Sequence, residues 1–496
     1  MSKGKIISLG LLLASTLTVN AQEDSYSNFR DSIMNDFQGF KENIFNEYNE
    51  YRNKINEEFI SFLNGNWENV NINEGEKKPV DSVPVVPPVI FDRTKPSPQP
   101  KPVVKIKPDP TPHPSPQPKP EVPIKKTEPL LPVSFVTEVY GTPFNLSKPD
   151  ILGINIGNPS NDAITKSWKK LSDGRMDNLL ADCLDSRTKY NLNDWAYLQF
   201  LNTVAENLSP ADSNLKTLIL GYLYGNSGYK MRLGRSNNSL VLLFGSQHLI
   251  YQYPFYTFDG DRFYPFNKTR GSLEICPAKF PSDQPLSLFV DKPMKLVEKP
   301  SEPKILKSTK GITAMSAVNL NLIPFYDSYP PSSINNQTIS RWAMTCSAPL
   351  SETAENSLYP PLKEKIQGLS TLQQVDLLLN FVQTAFEYEF DDKIWGADRA
   401  FFPEETLYYP YNDCEDRTAL FTRLVRDLIG LECAIIYYPG HLAAAVCFPI
   451  EDNVGGDKIN LGGRDFIICD PTYIGAGVGR QMPNVDANNA SAIILR

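Results

Sequence analysis

At 496 residues the chain exceeds what one ordinary core organises, so roughly two or three domains are expected. Its 41% hydrophobic and 21% charged residues are those of a globular protein. A formal net charge of −8 argues against nucleic acid as the main partner, because phosphate recognition needs a basic face.

Residues 1–21 read as a secretory signal peptide. Lys3 and Lys5 precede the apolar run IISLGLLLASTLTV, the small-residue sequence VNAQ follows it, and Ala21 is the expected last residue removed. The protein is therefore expected to be exported, to the periplasm or the medium. The apolar run is too short to span a bilayer and no later stretch resembles a membrane helix, so no membrane span is expected. Seven cysteines, at 183, 276, 346, 414, 433, 447 and 469, form no close pairs, which indicates neither a zinc site nor a dense disulfide framework. An odd total leaves at least one thiol free or paired between chains.

In residues 22–77, Phe29, Ile33, Phe37, Ile44, Tyr48, Tyr51, Ile55, Phe59 and Phe62 recur at helical spacing. The pattern predicts one or two amphipathic helices whose aromatic face is buried, in this protein or against a protein partner. Residues 78–133 change composition abruptly. Prolines in PSPQPKPVVKIKPDPTPHPSPQPKPEVP are too frequent for helix or sheet, which predicts an extended, polyproline-like linker.

Residues 134–300 read as a mixed α+β domain. WKKLSDGRMDNLLADCLDSR, NDWAYLQFLNTVAENL and NLKTLILGYLYG are helical in pattern, and YKMRLGR, SLVLLFGS, HLIYQYPFYTF and RFYPF are strand-like. His248 lies here without an accompanying reactive cysteine or serine. Helices followed by strands with a histidine loosely echo the last domain, as a degenerate duplicate or as independent structure. Residues 301–345 read as connecting strands and loops.

Residues 346–496 carry the chemistry. LSTLQQVDLLLNFVQTAFEYEF reads as a helix, with Leu372, Val375, Leu379 and Val382 on one stripe, and the loop DDKIWGADRAFFPEETLYYPY follows it. CEDRTALFTRLVRDLIG is a second helix, with Leu420, Leu424, Leu428 and Ile429 apolar, Asn412 or Asp413 at the N-cap, Asp416 near the capping-box position and Gly430 as its stop. Two strands, ECAIIYY and HLAAAVCF, flank the turn Pro439-Gly440, and RDFIICD ends a third at Asp470. Antiparallel pairing of the last two would make His441 and Asp470 neighbours, with Cys414 facing both.

Each of the three has a chemical reason to be there. A helix N-terminus and an imidazolium lower a thiol's pKa. His441 would exchange the proton, Asp470 would orient the imidazole, and the Cys414 N–H would supply one oxyanion donor. Tyr409, Tyr411 and Trp395 are the candidates for a second donor. His441 is the only histidine in this half of the chain. Along the helix Asp416 points about 200° from Cys414, whereas Arg417 and Thr418 lie within about 60° of it. Helix capping and solvation account for the acids beside the cysteine.

The stretch from DCEDRTALFTRLVRDLIG through YYPGHLAAAVCF to FIICDPTY resembles the transglutaminase-like superfamily, and PEETL and YEFDD resemble its lead-in to the cysteine. The resemblance covers roughly residues 355–496 and implies an α+β, papain-like core with Cys414, His441 and Asp470 as its triad. DCED is similar to the bacterial transglutaminase-like cysteine proteinases of the periplasm. Some of those bind calcium through carboxylates flanking the cysteine, which would here be Asp413 and Glu415. The expected function is an exported cysteine hydrolase, a protease or amidase acting on a protein or peptide through a thioester, with no required cofactor. A protein-crosslinking transglutaminase and a non-catalytic binding or assembly protein on the same scaffold stay open as alternatives.

Overall fold

A computed structural model describes residues 50, 53–79, 84–94, 100–113, 115–120, 124, 126, 134–267, 269, 271–279, 284–334 and 337–495. The expected signal peptide and the stripe positions Phe29, Ile33, Phe37, Ile44, Tyr48 and Tyr51 lie outside these residues. The described end of that stripe is helical over 53–63. Ile55 and Phe59 are buried, and the Phe59 ring centroid stands 4.6 Å from that of Trp168. Phe62, by contrast, faces solvent. The aromatic face here is buried in the chain's own core.

The fold is mixed α+β. Four helices, Asn161–Leu171, Asp177–Lys189, Asp194–Leu208 and Ser213–Asn226, lie between the first strand and the other five of an antiparallel six-stranded sheet. Its strand order is Glu68–Val70, Leu273–Ile275, Met231–Ser236, Ser239–Gly245, Asp261–Pro265, Tyr256–Phe258. Two predicted elements are divided. The first helix breaks at Gly174, whose φ of +100° an L-residue adopts only with strain, and HLIYQYPFYTF turns at Gln252. His248 is a core residue: its Nε2 accepts from Leu288 N at 3.1 Å, and burial lowers its pKa to about 4.

The second six-stranded sheet runs Ser491–Ile494, Cys433–Tyr438, His441–Val446, Arg464–Cys469, Lys458–Leu461, Val104–Ile106. All neighbours are antiparallel except the last pair. Helix Cys414–Leu428 packs on strand His441–Val446, flanked by helices Ser340–Ser347, Thr371–Thr384 and Pro403–Tyr408. Leu420 and Leu424 are fully buried, and Gly430 ends the helix with φ +78° and its N–H on the Val425 carbonyl. In the preceding helix Val375, Leu379 and Val382 are buried, but Leu372 is exposed.

Two expectations change. The Pro-rich segment is extended, yet its described residues lie along the protein instead of leading away from it. Val104–Ile106 adds to the second sheet, Val89–Ile90 pairs with Tyr473–Ile474, and Pro118 accepts a hydrogen bond from buried Arg187. Proline excludes helix, but the valines and isoleucines between prolines retain N–H groups to pair. The boundaries near 300 and 345 likewise do not divide the structure into separate cores. Ile55–Arg496 is one compact unit, and one hydrophobic cluster runs from Phe59 and Trp168 through Trp342 to Leu420 and Leu495. Among the described residues no helix is long and apolar enough to cross a membrane.

Candidate active site

Cys414 is the first residue of its helix, with Asp413 at the N-cap in extended conformation. The Asp416 carboxylate accepts from the Asp413 N–H at 3.2 Å, the expected capping-box contact, and from Phe401 N at 2.9 Å. His441 opens its strand after a two-residue turn, in which Tyr438 pairs with His441 and Gly440 adopts φ +79°. Ala444 pairs with Cys469, so the next residue of that chain, Asp470, arrives beside His441. The His441 Nε2 to Asp470 Oδ2 distance is 2.9 Å.

The cysteine joins this pair through the backbone. Leu442 N donates to Cys414 Sγ at 3.4 Å, and Thr418 Oγ1 donates to Leu442 O at 3.3 Å, tying the helix to the histidine strand. His441 Nδ1 is buried with no hydrogen-bond partner. The imidazole thus has one nitrogen held and one left over, with the sulfur bonded to the adjoining residue. Cys414, His441 and Asp470 are 0%, 1% and 2% exposed, so all three are closed to solvent.

Asp470 is itself held in place. Thr472 donates to Oδ1 through N at 2.9 Å and Oγ1 at 2.8 Å. Gln383, buried on helix Thr371–Thr384, donates Nε2 to the carbonyls of Asp470, Tyr473 and Ala476 at 3.0, 2.9 and 3.1 Å, and its Oε1 accepts from Gly475 N at 3.1 Å. Burial raises the Asp470 carboxyl's pKa, but the neighbouring imidazole and the Thr472 bonds outweigh it and hold the group below its ordinary value.

The thiol differs from expectation. Burial pushes it well above its ordinary pKa, Asp413 and Glu415 add to this, and the Leu442 N–H opposes them. The helix N-terminus is outweighed because the flanking acids are buried, not solvated: Asp413, Glu415 and Asp416 are all at most 2% exposed. The resting cysteine therefore carries its proton. Arg417, the expected cationic neighbour, is engaged elsewhere, donating to Asn412 Oδ1 at 2.8 Å, Gln383 O at 3.2 Å and Phe386 O at 2.9 Å.

The acids belong to a buried network. Single oxygens of Asp391, Asp398 and Glu415 lie within 4.8 Å of one another, as do Asp413, Cys414 Sγ and Glu415. Arg341 pairs with Asp398 at 2.6 and 3.0 Å and approaches Glu415 at 3.7 Å; Lys78 pairs with Asp398 at 2.8 Å. Burial raises Asp398's pKa, but these cations overcome it and bring the group to about 2, whereas burial takes Glu415 up to about 8 and Asp391 up to about 7. Asp413 Oδ1 and Glu415 Oε1 accept no hydrogen bond. Calcium takes six to eight hard oxygens, of which Asp413 and Glu415 supply the expected carboxylates. Arg341 and Lys78 already neutralise Asp398, and a soft sulfur stands within the Asp413–Glu415 group.

The expected second oxyanion donors do not lie at Cys414, His441 and Asp470. Tyr409 donates its hydroxyl to Asp327 at 3.0 Å, and the Tyr409 and Trp395 rings surround Arg399 at 5.3 and 5.2 Å. Tyr411 pairs along its backbone with Glu387. Among the described residues none of the three bonds or stacks with Cys414, His441 or Asp470. The predicted long helix instead stops at Thr384, and Glu387–Tyr388 forms a parallel pair with Tyr411–Asn412, the lead-in to Cys414. That pairing overrides helical pattern, and it buries the Tyr388 hydroxyl without a hydrogen-bond partner, where Cys414, Asp413 and Glu415 add to burial in raising its pKa. The alternation of Phe386, Tyr388 and Phe390 is the strand signal that the helical reading passed over.

No family model, curated protein or solved structure matches the chain. The site's meaning rests on its geometry.

Proposed function

We propose that the protein is an exported cysteine hydrolase of amide or peptide bonds, built on a papain-like, transglutaminase-like core with Cys414, His441 and Asp470 as its triad. The observation that carries this is the polarity of His441: Nε2 is bonded to Asp470, Nδ1 is unpartnered, and the next N–H rests on Cys414 Sγ.

In the first half-reaction the thiol proton passes to His441 Nδ1 as sulfur attacks the carbonyl carbon. The C–N bond then breaks, and the leaving amine takes that proton. In the second, water gives a proton to the imidazole and its oxygen to the thioester carbon; the C–S bond breaks and the sulfur recovers the proton. Asp470 stabilises the imidazolium at both stages. The Cys414 N–H and the Tyr388 hydroxyl are the proposed oxyanion donors. Because the resting thiol is neutral, the ion pair forms when substrate displaces the present contacts.

A second reading, a non-catalytic binding protein, is favoured by one observation, the closed and proton-holding surroundings of the sulfur. Native alkylation with iodoacetamide, read by mass spectrometry at Cys414, separates the two. The hydrolase reading expects the wild type to react at least about ten-fold faster than His441→Ala. Equal rates would leave the imidazole without influence on the thiol and refute the triad.

A further inference from the structure

We infer that residues 84–91 occupy the substrate groove of this site as a built-in peptide, and that the groove takes an extended peptide rich in proline and β-branched residues. The inference rests on the triad reading for what the groove serves, but not for what it binds.

The segment PVVPPVIF passes a neighbour of every triad residue. Val85 N and Val86 N both donate to Gly440 O, at 2.9 and 3.1 Å, immediately before His441. Val89 N donates to Thr472 O at 3.3 Å, two residues past Asp470. Val89–Ile90 then pairs in parallel with Tyr473–Ile474, and Phe91 N donates to Ile474 O at 2.8 Å. The Phe91 ring meets Tyr473 edge-on at 5.4 Å between centroids. At the other end Pro84 and Val85 line a cavity of about 260 Å³ whose wall includes Asp413, beside Cys414.

Sequence and groove match position by position. Residues 85, 86, 89 and 91 supply N–H groups, and the prolines at 84, 87 and 88 fall where no donor is used. Gly440 is fitted to this arrangement: a Cβ there would stand 2.7 Å from Val85 Cγ2, at a φ that already disfavours a side chain. The segment is bound through its main chain and through Val86, Val89 and Phe91, which pack on Tyr473, Ala476 and Met482, while Val85 and Ile90 remain 67% and 80% exposed. This is the bonding of strand addition, in which another extended chain offering the same donors can replace the resident one. Access to the thiol is thereby coupled to displacement of the chain's own segment.

The test is binding of fluorescein-labelled PVVPPVIF, followed by anisotropy, to full-length protein carrying Cys414→Ala. One sample keeps residues 84–91 intact; the other carries Val85→Pro, Val86→Pro, Val89→Pro and Phe91→Ala, which remove the resident donors and the ring contact. The loosened protein should bind at least ten-fold more tightly, with competition by unlabelled peptide. Equal binding, or none, overturns the proposal. If circular dichroism shows the loosened protein unfolded, Phe91→Ala with Cys414→Ala is compared in the same way; a three-fold gain is expected and no gain overturns it. The readout involves no chemistry. Peptide binding beside an inert Cys414 would leave the groove standing and remove the hydrolase reading. His441-dependent alkylation without peptide binding would do the reverse.

Discussion

Replacing Gln383 with leucine removes the clamp on the aspartate loop while keeping a side chain of similar bulk. The amide's two hydrogens are shared among the carbonyls of Asp470, Tyr473 and Ala476, and its oxygen holds Gly475 N, all of it buried. Roughly three net hydrogen bonds at about 1 kcal/mol each, with partners left orphaned, put the loss near 3–4 kcal/mol. Urea unfolding followed by circular dichroism measures it, and alkylation of Cys414 reports whether Asp470 still orients His441. Gln383→Glu is the more sensitive variant, because a carboxylate aimed at three carbonyls is worse than leucine at pH 8 and recovers as it is protonated toward pH 5. If Gln383→Leu unfolds within about 0.5 kcal/mol of wild type, the loop is not held by this side chain and the reasoning is wrong.

Arg341→Met should cost about 3–5 kcal/mol in the same assay, because it strands Asp398 with Lys78 alone in a buried acidic network; a loss below about 1 kcal/mol would mean that water enters the network. Stability should also fall from pH 5 to pH 8. Burial raises Glu404 to about 7 despite hydrogen bonds from Ser351 and Asn319, so the folded state binds the proton more tightly than the unfolded chain, whose value is about 4.3. That contribution is full below the unfolded value and is lost as pH rises through the folded one, up to about 4 kcal/mol. Thermal melts of Glu404→Gln should show a flatter decline across this window, and a slope equal to wild type would contradict the assignment.

The cysteine helix, the histidine strand and the position of Asp470 were legible because each depends on local rules: an N-cap acid, a Pro-Gly turn and strict two-residue alternation. Antiparallel register then placed His441 against Asp470. What the sequence concealed was long-range. Arg341 and Lys78 lie 73 and 336 residues from Cys414 by number, and nothing in their surroundings marks them as partners of Asp398. Likewise, the acids around Cys414 have the sequence pattern of a solvated run, and it is burial, together with their closeness to one another, that raises the pKa values of Asp413, Glu415 and Asp416. Tyr388 was obscured by a helical pattern that ends at Thr384 when Glu387 and Tyr388 pair with Tyr411 and Asn412.

Val104–Ile106 has one more consequence. The outermost position of a sheet is where foreign strands attach, since its unused N–H and C=O groups form a template. Here that position is filled by a strand bracketed by Pro102, Pro108 and Pro110, with Lys105 and Lys107 between them. Three residues past Ile106, Asp109 N donates to Ala492 O at 2.8 Å and Asp109 bridges Ile493, so the same Pro-rich segment also covers the opposite margin, and its prolines offer no donors to a foreign strand. The Pro-rich composition acts at this point as a guard against fibrous self-association, and a chain trimmed of it would present both Lys458–Leu461 and Ser491–Ile494 as open, sticky margins.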